Sequence, residues 1–280
     1  MVEKEEHRPE GYECVENCIR VQQGKAELCT ENVALEVPVP ISYNGVYAEV
    51  LSCTPSDFED AAFGVAFAHG VIAKAEDVQS VEVRCDGSNY DIDMTLRDGL
   101  RMPAAQNLST PSGASSVAGA LHSTRIAQLP AYYPAHMVHL STFESIAPQA
   151  IYRASESLLN QQGMHRHTGA THAASFVGRD GEFLHISEDI GRHVAVDKLV
   201  GWLLRNDIDP SSGFVFLSSR CALELVNKLA RYGVGLVATV SAPTSAVIEF
   251  ADEANVTLCA FCRQDRFTIY AHPERIRLSR

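Results

Sequence analysis

Several things are scarce or missing in this sequence, and each absence excludes something. No apolar run approaches the roughly 20 residues that a membrane-spanning helix needs, so no membrane partner is expected. Basic residues are outnumbered, 23 Lys and Arg against 35 Asp and Glu, giving a net charge of −12. That field opposes non-specific binding to nucleic acid or an anionic membrane, so any anionic ligand must be held by local arginines and backbone N–H groups. The Gly-x-Ser-x-Gly elbow, the Walker A loop and the Gly-x-Gly-x-x-Gly loop are absent, which removes serine hydrolase and common nucleotide-loop chemistry. The zinc-dependent nucleobase deaminase signature also fails: Ala173-Ala174 follow His172 where a glutamate is required, and Leu258 replaces the proline before Cys259. The opening residues are polar and acidic, unlike a secretory signal. With eight cysteines spread over 280 residues, this points to a reduced, cytoplasmic setting rather than a disulfide framework.

What is present is an ordinary globular composition, 46% hydrophobic and 21% charged, long enough for one large domain or two modest ones. Residues 1–30 carry no sustained period and read as a loosely held arm. Val33–Ser42 and Val46–Cys53 flank Asn44-Gly45, a strong primed-turn dipeptide, and predict a β-hairpin. Ser56 and Glu59 have capping-box spacing ahead of an Ala- and Phe-rich helix to about His69. Val78–Cys85 and Tyr90–Leu96 predict a second strand pair. Residues 102–119, rich in Pro, Ser, Ala and Gly, predict a mobile loop. Ser141 and Glu144 repeat the capping-box spacing before a helix to about Gln161. Strands near 173–177, 182–187, 214–218, 235–240 and 256–261 then alternate with helices near 191–205, 220–232 and 244–254, which is the pattern of an α/β sheet.

Three strand-to-helix junctions carry the chemical signal. They are Glu188-Asp189-Ile190-Gly191-Arg192-His193, Leu217-Ser218-Ser219-Arg220 and Ser241-Ala242-Pro243-Thr244-Ser245. Helix starts present free N–H groups and the positive end of the macrodipole, which suits an anion. Each also has a purely structural explanation: Asp189 and Ser219 as caps, Arg192 solvated, His193 in the core. Arg220 resists that explanation, because a cation at a helix start is unfavourable unless it serves an anion. Taken with Thr171 and His172, the set predicts a multi-phosphate or nucleotide-like ligand. Cys259-x-x-Cys262 and Cys14-x3-Cys18 could supply four thiolates to zinc, but their spacings differ and Cys259 alternates with apolar neighbours, so no metal site is expected.

These motifs, with Thr171-His172-Ala173-Ala174 and Asp197-Lys198, resemble the FdhD family, the formate dehydrogenase accessory sulfurtransferases. The resemblance extends through Tyr43-Asn44-Gly45, Gly70-Val71-Ile72 and the segment from Asn255 to Tyr270, covering most of residues 33–272. It implies an α/β C-terminal domain over 141–280 resembling the cytidine deaminase fold. A smaller α+β N-terminal domain would take 31–101 with parts of 120–140. It further implies a cytoplasmic homodimer that binds the molybdenum bis(molybdopterin guanine dinucleotide) cofactor, for which GDP is a partial mimic. The family takes sulfur from a cysteine desulfurase and serves formate dehydrogenase. By the same resemblance the cofactor would contact Thr171, His172, Asp189, Gly191, Arg192 and His193; Ser218, Ser219 and Arg220; Ser241, Ala242, Thr244 and Ser245; and the loop Phe261, Cys262, Arg263, Gln264, Asp265 and Arg266. Within that loop only Phe261 and Arg266 match the family pattern well.

One departure bears on chemistry. The family carries its persulfide in a Cys-Gly-x-Cys-Gly loop, and the corresponding Ser112–Gly119 segment places Ser115 and Ala118 where those cysteines belong. A hydroxyl cannot stand in for a thiolate, and alanine has no acceptor atom. No cysteine exists between Cys85 and Cys221. The sequence therefore leaves two functions open: a sulfur carrier acting through another thiol, with Cys262 as the candidate, or a cofactor-binding chaperone without turnover in which Cys262 is buried and inert.

Overall fold

The computed structural model describes residues 11–87, 89–100 and 133–278. Its first element corrects the expectation of a loose arm. Strands β1 (Tyr12–Gln22) and β2 (Lys25–Ala34) form an antiparallel ribbon closed at Gln23-Gly24, whose φ angles of 50° and 78° fit a primed two-residue turn. Little of the ribbon is buried on either face, and the register shifts between Val15 and Cys18 around Asn17, at φ 62°. Such a ribbon leaves no apolar alternation to read.

The hairpin at Asn44-Gly45 is present as β3 (Val37–Tyr43) and β4 (Val46–Cys53). Val33 and Ala34 belong to β2 instead. Helix α1 (Phe58–Ala68) follows, but the Ser56–Glu59 capping box does not form: Asp57 caps in a left-handed conformation, and the Ser56 hydroxyl faces Lys198 Nζ at 3.1 Å. Strands β5 (Val78–Asp86) and β6 (Asn89–Leu96) complete a four-stranded sheet in the order β4-β3-β6-β5, with β3 and β6 parallel. The predicted 102–119 loop lies outside the described residues, as do Ser115 and Ala118.

Helix α2 (Pro148–Gln161) starts at a proline suited to the first turn, not at Ser141; Glu144 instead pairs with Arg179 at 2.8 Å. A short helix α3 (Gly163–Thr168), not foreseen, leads into β7 (His172–Gly178) and β8 (Phe183–Asp189). Then come α4 (Arg192–Arg205), β9 (Gly213–Leu217), α5 (Leu223–Tyr232), β10 (Leu236–Thr239), α6 (Ser245–Glu253) and β11 (Thr257–Ala260). An unforeseen edge strand β12 (Thr268–Ala271) closes a six-stranded sheet ordered β12-β11-β10-β9-β7-β8. Strands β9, β10 and β11 run parallel, while β7, β8 and β12 are antiparallel to their neighbours.

Each central strand divides its side chains between two faces. Phe214 and Phe216 face the cluster containing Ile151, Ala154 and Leu158 of α2. Val215 and Leu217 face the cluster containing α4, α5 and α6. That second cluster continues through α1 to the four-stranded sheet, so the two sheets share one core. The junction is a close helix contact. A Cβ on Gly64 would sit 1.8 Å from the Asp197 carbonyl oxygen, and one on Gly201 would sit 1.8 Å from the Asp60 carbonyl oxygen. Only glycine at both positions lets α1 and α4 touch backbone to backbone.

Candidate functional site along one edge of the six-stranded sheet

Strand pairing brings the strand ends that carry these motifs to a single edge. His172 opposes Asp189, Ala174 opposes Leu217, Leu217 lies beside Thr239, and Ala238 lies beside Cys259. The N-terminal end of β7 and the C-terminal ends of β8, β9, β10 and β11 therefore share one rim. Ligands of open α/β sheets bind at such carboxyl ends, where strand-to-helix turns leave N–H groups free.

Backbone hydrogen bonds stitch the rim loops together. Ser218 N donates to Ala173 O (3.0 Å), and Ala173 N donates to the Ser218 hydroxyl (2.7 Å). Cys221 N donates to Ala242 O (3.1 Å), and Thr244 N returns a bond to Cys221 O (3.2 Å). Phe261 N donates to Ser241 O and Cys262 N to Thr239 O, at 3.1 and 3.0 Å. The Arg263 guanidinium holds the Val240 and Cys262 carbonyls at 2.6 and 2.7 Å. Phe261 is 43% exposed and sits at φ 53°, a conformation a bulky residue adopts only when its surroundings impose it.

Two expected contacts turn out to be engaged inside the protein. Thr171 is buried and its hydroxyl donates to Glu188 at 2.8 Å; Glu188 also accepts the N–H groups of Met164 and His165, both at 2.9 Å. Asp189 is fully buried. Its Oδ2 accepts from the Thr54 N–H (3.0 Å), the Thr54 hydroxyl (2.9 Å) and Lys198 Nζ (2.9 Å), and its Oδ1 accepts from the Gly191 N–H (2.8 Å). A carboxylate so occupied positions Gly191 and the start of α4. Lys198, also fully buried, donates to the Thr54 and Ser56 hydroxyls as well and satisfies the pair.

The helix starts differ in quality. Gly191 is the N-cap of α4, which begins at Arg192. Thr244 caps α6, its hydroxyl accepting from Val247 N at 3.4 Å, and Ser245 opens that helix. The reading of Ser219 as a cap is corrected: α5 begins at Leu223 after Ala222, Ser219 is buried with its hydroxyl bonded to Arg220 O, and Arg220 stands exposed on the loop. The helix-dipole argument for Arg220 therefore lapses, and its charge has to be judged from its surroundings.

Those surroundings are cationic. Arg192 and Arg220 both act on His172, whose pKa is lowered first by burial and then by Arg192, His165 and Arg220, so the ring is neutral at pH 7. Burial and Lys228 lower His193 in the same direction, against Glu224, to which it is hydrogen-bonded. Among the described residues Arg192, Arg220, Arg263 and Arg266 form no ion pair, and Arg192 Nε is buried without a hydrogen-bond partner. Thr244, Ser245, Arg263, Gln264, Asp265 and Arg266 are exposed along the rim, while Ser218, Ser241 and Ala242 are half-buried.

Cys262 does not share that exposure. It is fully buried, and desolvation pushes its thiol up to about 12 despite Arg263 nearby. Of the two readings of Cys262, the geometry matches the inert one. A cavity of about 380 Å³, bounded by Tyr12, Ser56, Asp57, Met164, His167 and Glu188, lies where the ribbon, the start of α1 and α3 meet. Its lining comes from segments far apart in sequence, and no local motif announces it.

Comparison with known proteins identifies the family and the fold. The FdhD/NarQ family profile matches residues 34–277. The chain is 36% identical over 263 residues to the sulfur carrier protein FdhD of Burkholderia mallei, covering 91% of this chain and 94% of that one. It is 37% identical over 248 residues to the protein of the same name from Chromobacterium violaceum, covering 86% and 88%. A crystal structure from Desulfotalea psychrophila, of a protein assigned as a formate dehydrogenase accessory protein, shares the fold with a TM-score of 0.75 at 21% identity, covering 95% of this chain and 99% of that one. This chain is a member of the FdhD/NarQ family.

Proposed function

We propose that this chain serves formate dehydrogenase maturation by binding a guanine dinucleotide form of the molybdenum cofactor along the strand edge. The observation that carries the reading is the Arg192–Arg220 pair: two guanidinium groups act on one neutral imidazole, neither forms an ion pair among the described residues, and one Arg192 nitrogen is buried without a partner. An orphaned buried donor is costly, and a phosphate oxygen is the group that satisfies it. Arg192 and Arg220 would hold the phosphates together with the N–H groups at the starts of α4 and α6. The exposed ring of Phe261 would offer a face to the guanine. The molybdenum group is cargo in this reading, and the protein residues bind and orient it. The names of the relatives, sulfur carrier protein and formate dehydrogenase accessory protein, support a role in formate dehydrogenase maturation. In this reading the sulfur donor is a cysteine desulfurase. The wider expectation is a cytoplasmic homodimer whose α/β region is layered like a cytidine deaminase.

A second reading, binding and delivery without sulfur transfer, is favoured by Ser115 and Ala118 at the loop positions and by the buried Cys262. Calorimetry with GDP tests the binding common to both. Wild-type protein binds, and Arg220→Ala lowers affinity about ten- to a hundredfold, the roughly 1.5–3 kcal/mol of a charge-assisted contact. No heat of binding with the wild-type chain removes the reading.

A further inference from the structure

We propose that Cys18 and Cys29 on the β1–β2 ribbon are a dithiol that takes the outer sulfur of a persulfide donor and releases it as hydrosulfide, closing into a cross-strand disulfide. This rests on the sulfur-carrier reading above and supplies the thiols that the 112–119 segment lacks.

The two residues are direct register partners in the antiparallel ribbon. Opposed Cα atoms there lie about 4.5–5.5 Å apart, and a disulfide spans about 4.4–6.8 Å, so both forms fit one backbone. Directly paired side chains share a face, and each sulfur lies close to the ribbon: Cys29 Sγ is 3.6 Å from the Cys18 carbonyl oxygen, and Cys18 Sγ is 3.5 Å from that of Val15. Both are half-exposed, so a donor reaches them. Among the eight cysteines no other pair combines register and access. Cys53, Cys221, Cys259 and Cys262 are buried, Cys14 opposes Asn32, and Cys85 opposes Tyr90. Burial raises the Cys29 thiol above its ordinary value, with Glu31 acting in the same direction, while Arg20, two residues from Cys18 on the same face, opposes the rise.

The chemistry balances without an external oxidant. The Cys18 thiolate attacks the outer sulfur of R–S–SH; the donor S–S bond breaks, R–S⁻ leaves, and Cys18 carries the persulfide. The Cys29 thiolate then attacks Cys18 Sγ, the bond to the outer sulfur breaks, and HS⁻ leaves with the electron pair. The outer sulfur is reduced to sulfide, while the two thiols lose their protons and become a disulfide. A small dithiol restores the pair by exchange, ending as a disulfide itself.

The test uses the full-length protein and glutathione persulfide. Wild type releases hydrosulfide and yields a Cys18–Cys29 crosslinked peptide, with the chain lighter by about 2 Da. Cys29→Ser keeps sulfur on Cys18 as an adduct of about 32 Da and releases hydrosulfide at least tenfold more slowly. Cys14→Ser and Cys85→Ser, at the two other exposed cysteines, behave as wild type. Release from Cys29→Ser at the wild-type rate, or no Cys18–Cys29 crosslink in wild type, overturns the proposal. GDP calorimetry on the same samples reads the strand edge separately, so the two proposals fail by different signals.

Discussion

The strand edge and the β1–β2 ribbon differ in what burial has done to their polar groups. At the edge, tightly bonded loops over a closed core leave Arg192, Arg220, Arg263 and Arg266 without an ion pair among the described residues. The same burial pushes the thiols of Cys221 and Cys262 up to about 12 and that of Cys259 well above its ordinary value. On the ribbon, little is buried, and Cys18 and Cys29 stay reachable. Its arginine is not free for a ligand, because Arg20 bonds to Glu31 at 2.6 Å with Glu27 alongside. Rigid enclosure suits anion recognition and disables thiolate chemistry, so this chain places cations and usable sulfur on different elements.

Four changes would break or sharpen that contrast. The largest effect is expected from Lys198→Ala. It leaves the buried Asp189 carboxylate without its cation, and urea unfolding should show a loss of about 3–5 kcal/mol; a loss under about 1 kcal/mol would show that the pair does not anchor the edge. The double change Asp189→Asn with Lys198→Met should recover a large part of that loss. Next, Gly201→Ala drives a methyl into the Asp60 carbonyl and should lower stability by about 1–3 kcal/mol, read as a fall in Tm. In third place, Arg220→Ala should cost affinity for GDP while moving Tm by the equivalent of less than about 0.5 kcal/mol, because Arg220 is exposed and makes no ion pair among the described residues. A large fall in Tm would make Arg220 structural. The smallest effect belongs to the ribbon: Cys18→Ser under reducing conditions should leave unfolding within about 0.5 kcal/mol of wild type, and a larger shift would mean that the ribbon is built into the core.

The same contrast governs how much was legible in the sequence. Regions packed on a core announce themselves: the alternation from His172 to Ala260, the Asn44-Gly45 hairpin and the clustering of Gly191, Arg192 and Ser218 to Arg220 all follow from periodic burial or turn chemistry. The ribbon did not, because its exposed faces and the shift at Asn17 erase the period. The Ser56–Glu59 and Ser141–Glu144 spacings misled for another reason. Their side chains are taken by distant partners, Lys198 for Ser56 and Arg179 for Glu144. Thr54 and Asp189 lie 135 residues apart, so no local pattern could show that Asp189 holds the frame.

The reciprocal glycine contact between α1 and α4 has a mechanical consequence. Gly64 rests on the α4 backbone and Gly201 on that of α1, with no side-chain layer between to act as a bearing. Sliding of α4 along its own axis would drive carbonyl against carbon within a fraction of an ångström, so α4 can move only by carrying α1 with it. The start of α4 at Arg192 lies on the rim formed by the strand ends. A ligand held at Arg192 would therefore bear on α1 as well, and through α1 on the strands of the four-stranded sheet that share its core.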